Sequence, residues 1–159
     1  YGKGEPSLVR VFADEVTYPL HVILRYKLEK ALLANELSTG DLPLAWNDLM
    51  EQLVGVRPTD DTDGVMQDVH WPEGILGYFP TYSLGAVAAA QLFAAAQRDN
   101  ADLLPALGSG NVAPLFNWLD QHIRSQGCLY MPDELLEKAT GSGLDTAAFK
   151  ASIHARYLD

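Results

Sequence analysis

The chain has 159 residues, 48% hydrophobic and 20% charged, which is enough for one domain with a buried core and too apolar for disorder. Its formal net charge of −10 argues against a nucleic acid or an anionic membrane as partner, since both ask for a basic face. Its single cysteine, Cys128, excludes an internal disulfide and fits a reducing compartment.

Residues 13–35 read as a long helix, with Leu20, Ile23, Leu24, Leu28, Ala31 and Leu32 on one apolar face. Pro19 lies inside that pattern and predicts a kink, or a break near Thr17. Asp41 is placed to cap a second helix that has Pro43 in its first turn and runs to about Val54. Residues 55–65 form a polar turn region with Pro58 and the aspartates Asp60, Asp61 and Asp63.

The stretch from Gly64 to Gly85 is broken by Gly64, Pro72, Gly74, Gly77 and Pro80, so it reads as loop as far as Pro80. It concentrates Gln67, Asp68, His70, Trp71, Tyr78 and Tyr82, and loops of this kind are where helical scaffolds keep chemistry. A helix follows from Pro80 to Arg98, rich in alanine and suited to close packing. An amphipathic helix spans Asn111 to Ser125 and stops at Gly127. Another opens at Pro132 and runs to Thr140; the last is capped by Asp145 and ends at Tyr157. No segment alternates as a strand does, no repeat is present, and the expected fold class is all-α. No apolar run approaches membrane-spanning length, and the first residues lack the pattern of a signal peptide.

Three groups of residues can carry chemistry, and each also has a plainer reading. His70, two residues after Asp68, can be held in one tautomer by a carboxylate and donate to a carbonyl or oxyanion; the plainer reading is a loop histidine bonded to backbone, with Trp71 plugging the core. Tyr78 and Tyr82 are neutral donors that flank the start of a helix, or else two aromatic anchors. Arg10 can hold a carboxylate, such as a peptide C-terminus, by two parallel hydrogen bonds, or can pair with Asp14 at helical spacing. A calcium loop around Asp61, Asp63 and Gly64 is rejected, because Thr59 and His70 occupy its two end positions. His21, His70, His122 and His154 are too scattered for a standard zinc site, so no metal is expected on this chain alone.

Val9-Arg10-Val11-Phe12-Ala13-Asp14 matches an Ile/Val-Arg-x-x-Ala-Asp motif, and the eight residues from Gly64 to Trp71 match Gly-x-x-Gln-Asp-x-His-Trp in full. With Gly77 to Gly85, the run from Ala13 to Leu32 and the closing segment from Gly141, nearly the whole chain resembles the carboxypeptidase Taq family of zinc metallocarboxypeptidases. Phe12 and Pro19 depart from the residues common there. The resemblance implies a helical, groove-bearing enzyme that removes single amino acids from peptide C-termini.

By that resemblance the zinc is held by a His-Glu-x-x-His pair and a further Glu, which lie upstream of the matched region and are absent here. The expectation is one helical domain over residues 1–159, the C-terminal portion of a longer enzyme and inactive alone, which agrees with a start at Tyr1 rather than Met. His70 becomes the expected donor to substrate or oxyanion, and helical zinc peptidases of the angiotensin-converting-enzyme type suggest Tyr78 or Tyr82 as its partner. Arg10 is the candidate for the substrate carboxylate, while Gln67 and Asp68 are expected to orient His70. A cytoplasmic homodimer acting on peptides with a free C-terminus completes the expectation. The rival is a non-catalytic helical module for binding or dimerisation.

Overall fold

Asp14 sets the first helix boundary. In the computed structural model, which describes residues 5–158, its carboxylate accepts the backbone N–H groups of Val16 (2.9 Å) and Thr17 (2.7 Å) and the Thr17 hydroxyl (3.0 Å). That turn uses up residues 14–17, so helix α1 begins at Tyr18 instead of Ala13 and runs to Leu33. Pro19 then falls in the first turn, where its missing N–H has no helical acceptor to lose, and no kink results. Tyr1 and Asp159 lie outside the described residues.

Helix α2 spans Leu42–Val54. Asp41 precedes it as expected, but its side chain does not cap; its carboxylate accepts the Ser38 hydroxyl at 2.6 Å. Helix α3 spans Phe79–Asp99, α4 Leu103–Gly108, α5 Ala113–His122, α6 Pro132–Thr140 and α7 Ala147–Tyr157, with 3₁₀ turns at Arg10–Phe12 and Arg124–Gln126. No strand occurs among the described residues, and the chain is all-α as expected. Helix α4 is unforeseen, and Pro105 sits early enough in it to leave the helical bonds intact. Helix α5 is shorter than its apolar pattern, giving way to the 3₁₀ turn before Gly127. Asp145 does cap α7 from one residue back, accepting the Ala147 N–H at 2.9 Å.

The chain divides into two compact units, Tyr1–Leu84 and Gly85–Asp159, with the boundary inside α3. In the first unit α1 packs on α2, and Leu24, Leu28, Trp46, Met50 and Val54 form its buried core. Each such side chain contributes about 1.5–3 kcal/mol by leaving water. In the second unit Ala95, Ala96, Leu103, Trp118 and Ala139 form another core. There Gln91 ties down the turn after α6, donating to Ser142 Oγ (3.0 Å) and the Gly143 carbonyl (2.9 Å) and accepting the Asp145 N–H (3.0 Å).

The expectation that no apolar run approaches membrane-spanning length does not hold by length and composition. Helix α3 has 21 residues and a mean hydropathy of 1.2 over its most apolar window, because its alanines raise the mean. The same helix carries Gln91, Arg98 and Asp99, whose side chains bond to the Thr140 hydroxyl, the Thr140 carbonyl and the Trp118 indole.

Candidate functional site

Four pieces of the first unit meet at one cluster: the 3₁₀ turn at Arg10, helix α1, the loop of residues 64–78 and the first turn of α3. The loop is shaped at its start by Gly64. A Cβ there would lie 2.9 Å from the Asp60 carbonyl oxygen, so any side chain would force the backbone apart. At its other end Gly77 takes a φ of 74°, left-handed backbone that turns the chain into Tyr78.

Gln67 fastens the loop to the N-terminal segment. Its Oε1 accepts the Arg10 backbone N–H (2.9 Å) and Arg25 Nη2 (2.8 Å), while its Nε2 donates to the carbonyls of Leu8 (3.1 Å) and Asp63 (2.8 Å). Both acceptor sites and both donor hydrogens of the amide are thereby used.

Asp68 sits between two guanidinium groups. Its Oδ1 accepts Arg10 Nε (3.1 Å) and Nη2 (2.7 Å), and its Oδ2 accepts Arg25 Nε (2.6 Å). Burial pushes the Asp68 carboxyl upward, but the Arg10 hydrogen bond and the charges of Arg25 and Arg10 outweigh it and hold the carboxyl below its usual range. Arg25, fully buried on α1, is drawn down to about 10 by burial, partly offset by Asp68, and stays charged at neutral pH. Burial also opposes the charge on Arg10, yet its bonds to Asp68 and Tyr18 prevail and raise it. The Tyr18 hydroxyl accepts Arg10 Nη1 at 2.8 Å.

Arg10 therefore does not pair with Asp14, and Asp68 and Gln67 do not grip His70. The nearest approach of the Asp68 carboxylate to His70 Nδ1 is 3.8 Å, beyond hydrogen-bond reach. Instead, His70 Nε2 lies 3.2 Å from the Tyr82 hydroxyl. The imidazole is fixed by aromatic packing: tilted on Phe79 at 4.5 Å, stacked over Tyr78 at 5.7 Å, and edge-on to Tyr82 at 6.1 Å. Burial raises the Tyr82 phenol above its usual range, against the pull of Arg10, so it remains a protonated donor at neutral pH. The Arg10 guanidinium carbon lies 5.1 Å from the Tyr82 ring centre, and Phe79 is buried beneath the group. Tyr78 lies edge-on to Tyr82 at 5.3 Å and is 45% exposed.

All six expected site residues thus gather in one place: Arg10, Gln67, Asp68, His70, Tyr78 and Tyr82. The sequence reading missed Tyr18, Arg25, Glu29 and Phe79, which complete the cluster. The signal for two of them was available, because Arg25 and Glu29 are charged residues next to Leu24 and Leu28 on the apolar face of α1, and both are buried. His21, one turn before Arg25, is buried as well. Burial and the Arg25 charge lower it to about 4, partly offset by the Ser7 backbone, so it is neutral.

Comparison with known proteins gives this arrangement a context. A family profile described as carboxypeptidase Taq (M32) metallopeptidase matches residues 1–157. Thermostable carboxypeptidase 1 of Thermus thermophilus is 45% identical over 153 residues, covering 96% of this chain and 30% of its own length. The protein of the same name from Pyrococcus furiosus is 40% identical, with 96% and 31% covered. Among solved structures, the M32 carboxypeptidase from Deinococcus radiodurans superimposes with a TM-score of 0.94 at 40% identity, over 96% of this chain and 31% of that one. The chain thus spans about a third of the length of its relatives. A metallopeptidase family implies a divalent metal in the full-length enzyme, but among the described residues no three His, Cys, Asp or Glu side chains converge to hold one. The residues of this cluster do not fit a metal; they are hydrogen-bond donors and an ion-pair network. With residues 1–157 matched by that profile and 40–45% identity to named carboxypeptidases over 96% of its length, the chain belongs to the carboxypeptidase Taq (M32) metallopeptidase family.

Proposed function

We propose that this chain is the C-terminal portion of a zinc-dependent carboxypeptidase that releases single amino acids from peptides with a free C-terminus, and that it supplies hydrogen-bond donors to the reaction. The observation that carries this reading is the contact of His70 Nε2 with the Tyr82 hydroxyl beside the exposed Tyr78. An imidazole and a phenol held side by side can direct an N–H or O–H at an oxygen that gains negative charge as a peptide carbonyl is attacked. Their places are preset by Phe79 and Arg10, so little reorganisation is needed when the charge appears.

Arg10 is the proposed holder of the substrate carboxylate. It gives three N–H groups to Asp68 and Tyr18, which leaves two of its five for an incoming anion. Zinc is the proposed metal, held by residues outside this chain, and the chain alone is inactive. The proposal extends to a homodimer, for which exposed apolar side chains such as Phe12, Leu129 and Met131 offer surface, and to a cytoplasmic setting in keeping with the free Cys128.

The test is amino-acid release by the zinc-loaded full-length protein from a peptide with a free C-terminus and from its C-terminal amide. Release from the first and not the second is expected. Equal release from both would remove the carboxylate role, and release from neither would remove the enzyme reading.

A further inference from the structure

The loop that carries His70 at one end and Tyr78 at the other has little to hold it. Every residue from Pro72 to Tyr78 is exposed. Its own bonds are internal, from the Gly74 N–H to the Trp71 carbonyl (2.9 Å) and from the Ile75 N–H to the His70 carbonyl (2.8 Å). Among the described residues, one side chain from another element bonds to residues 71–77, and it is Glu29 of α1.

Glu29 is 5% exposed, and both of its carboxylate oxygens face this loop. Oε2 accepts the indole N–H of Trp71 at 2.8 Å, and Oε1 accepts the backbone N–H of Gly77 in a short hydrogen bond. The two donors are six residues apart and bracket the loop, one directly after His70 and one directly before Tyr78. A buried carboxylate is expensive to desolvate, and an apolar side chain would pack there more cheaply. What the carboxylate adds is geometry, since Trp71 packs on the core of the first unit while residues 72–78 are exposed, and one rigid group fixes both ends of that loop. Gly77, at a positive φ, lets its N–H turn inward to that carboxylate while Tyr78 stays outside over His70.

We propose that Glu29 is a positioning residue of the active site. By clamping Trp71 and Gly77 to α1, it keeps His70 and Tyr78 in their stacked arrangement and His70 within reach of Tyr82. This role rests on the carboxypeptidase reading above. Glu29 itself touches no substrate; it acts through the loop. Glu29→Gln keeps the size but turns one acceptor into a donor, which opposes an N–H group. Trp71→Phe removes a single N–H and keeps an aromatic ring in the core.

The experiment uses the zinc-loaded full-length protein and both variants, singly and combined. Expected for Glu29→Gln are a fall in kcat of about 10- to 100-fold with KM within about threefold, as displacement of a donor predicts. Amide hydrogen exchange at Gly77 should accelerate about tenfold or more, while exchange in the core of α1 and α2 stays as it was. Trp71→Phe should lower kcat in the same direction, and the double variant should lose less than the product of the two single losses, because both cut one clamp. If Glu29→Gln does not fold, Trp71→Phe decides: unchanged kcat overturns the role. Unchanged Gly77 exchange, or unchanged kcat in an active protein, overturns it too. An unsubstituted protein that releases no amino acid removes the carboxypeptidase reading, and this role with it.

Discussion

Arg25 holds Asp68 across 43 residues of sequence, with Nη2 of the fully buried guanidinium 2.5 Å from Oδ2 of the carboxylate. The contact ties the middle of α1 to the loop one residue past Gln67. With Arg10 on the other oxygen, it turns three separate segments into a single support beneath His70 and Tyr82.

Removing Arg25 leaves Asp68 paired with Arg10 alone and takes the donor from Asp68 Oδ2 and from the His21 carbonyl, which costs about 2–5 kcal/mol in all. Arg25→Met in the full-length protein should therefore lower the urea unfolding free energy by about that much. Arg57→Met makes the comparison: its partners Asp48 and Glu51 are exposed, and its loss should leave the unfolding free energy nearly unchanged.

The two tyrosines should separate in kinetics. Tyr82→Phe removes the hydroxyl that contacts His70 Nε2 and should lower kcat about 100-fold with little change in KM. Tyr78→Phe keeps the stacked ring and should stay within about threefold. Steady-state kinetics on a peptide with a free C-terminus decides, and a larger loss at Tyr78 would reverse the assignment.

His21 makes stability depend on pH. Its folded value is depressed to about 4 from the ordinary 6.5 by burial and the neighbouring Arg25, so the unfolded chain takes up this proton first as pH falls. Its contribution is fully present above about 6.5, declines as pH falls, and is spent by about 4, a total near 3 kcal/mol. Asp68 acts in the same direction at lower pH, because its folded carboxyl lies below its unfolded value. Urea unfolding of the full-length protein at pH 7 and pH 5 should show about half of this loss, and His21→Phe should reduce it. Equal pH dependence in both proteins would contradict the account.

Gly64→Ala should cost about 1–3 kcal/mol, because its Cβ would meet a backbone oxygen that cannot swing aside. Gly85→Ala, in a helix with nothing within 4 Å, should be neutral or slightly stabilising. Thermal unfolding of the two variants distinguishes them.

Most of the helices were legible because prolines and small polar residues mark their starts, as Pro43, Pro132 and Asp145 do. The site's membership was legible from motif residues in the 64–71 loop and at Arg10. Their partnerships were not. Arg10 and Asp14 stand at helical spacing, but Asp14 spends its carboxylate on Val16 and Thr17, so no helix forms between them and Arg10 turns to Asp68. Asp68 stands two residues from His70, which suggests an orienting carboxylate, yet two arginines claim both of its oxygens. Glu29 and Arg25 sit among leucines on an apolar face, and periodicity alone does not say what a buried charge will meet.

His70 bears the most direct test. His70→Ala in the zinc-loaded full-length protein should reduce release of the C-terminal amino acid by about 100-fold or more, with bound zinc unchanged, because the proposed role of the imidazole is that of a donor and not of a metal ligand. Full activity in that variant, or loss of its zinc, would contradict the account.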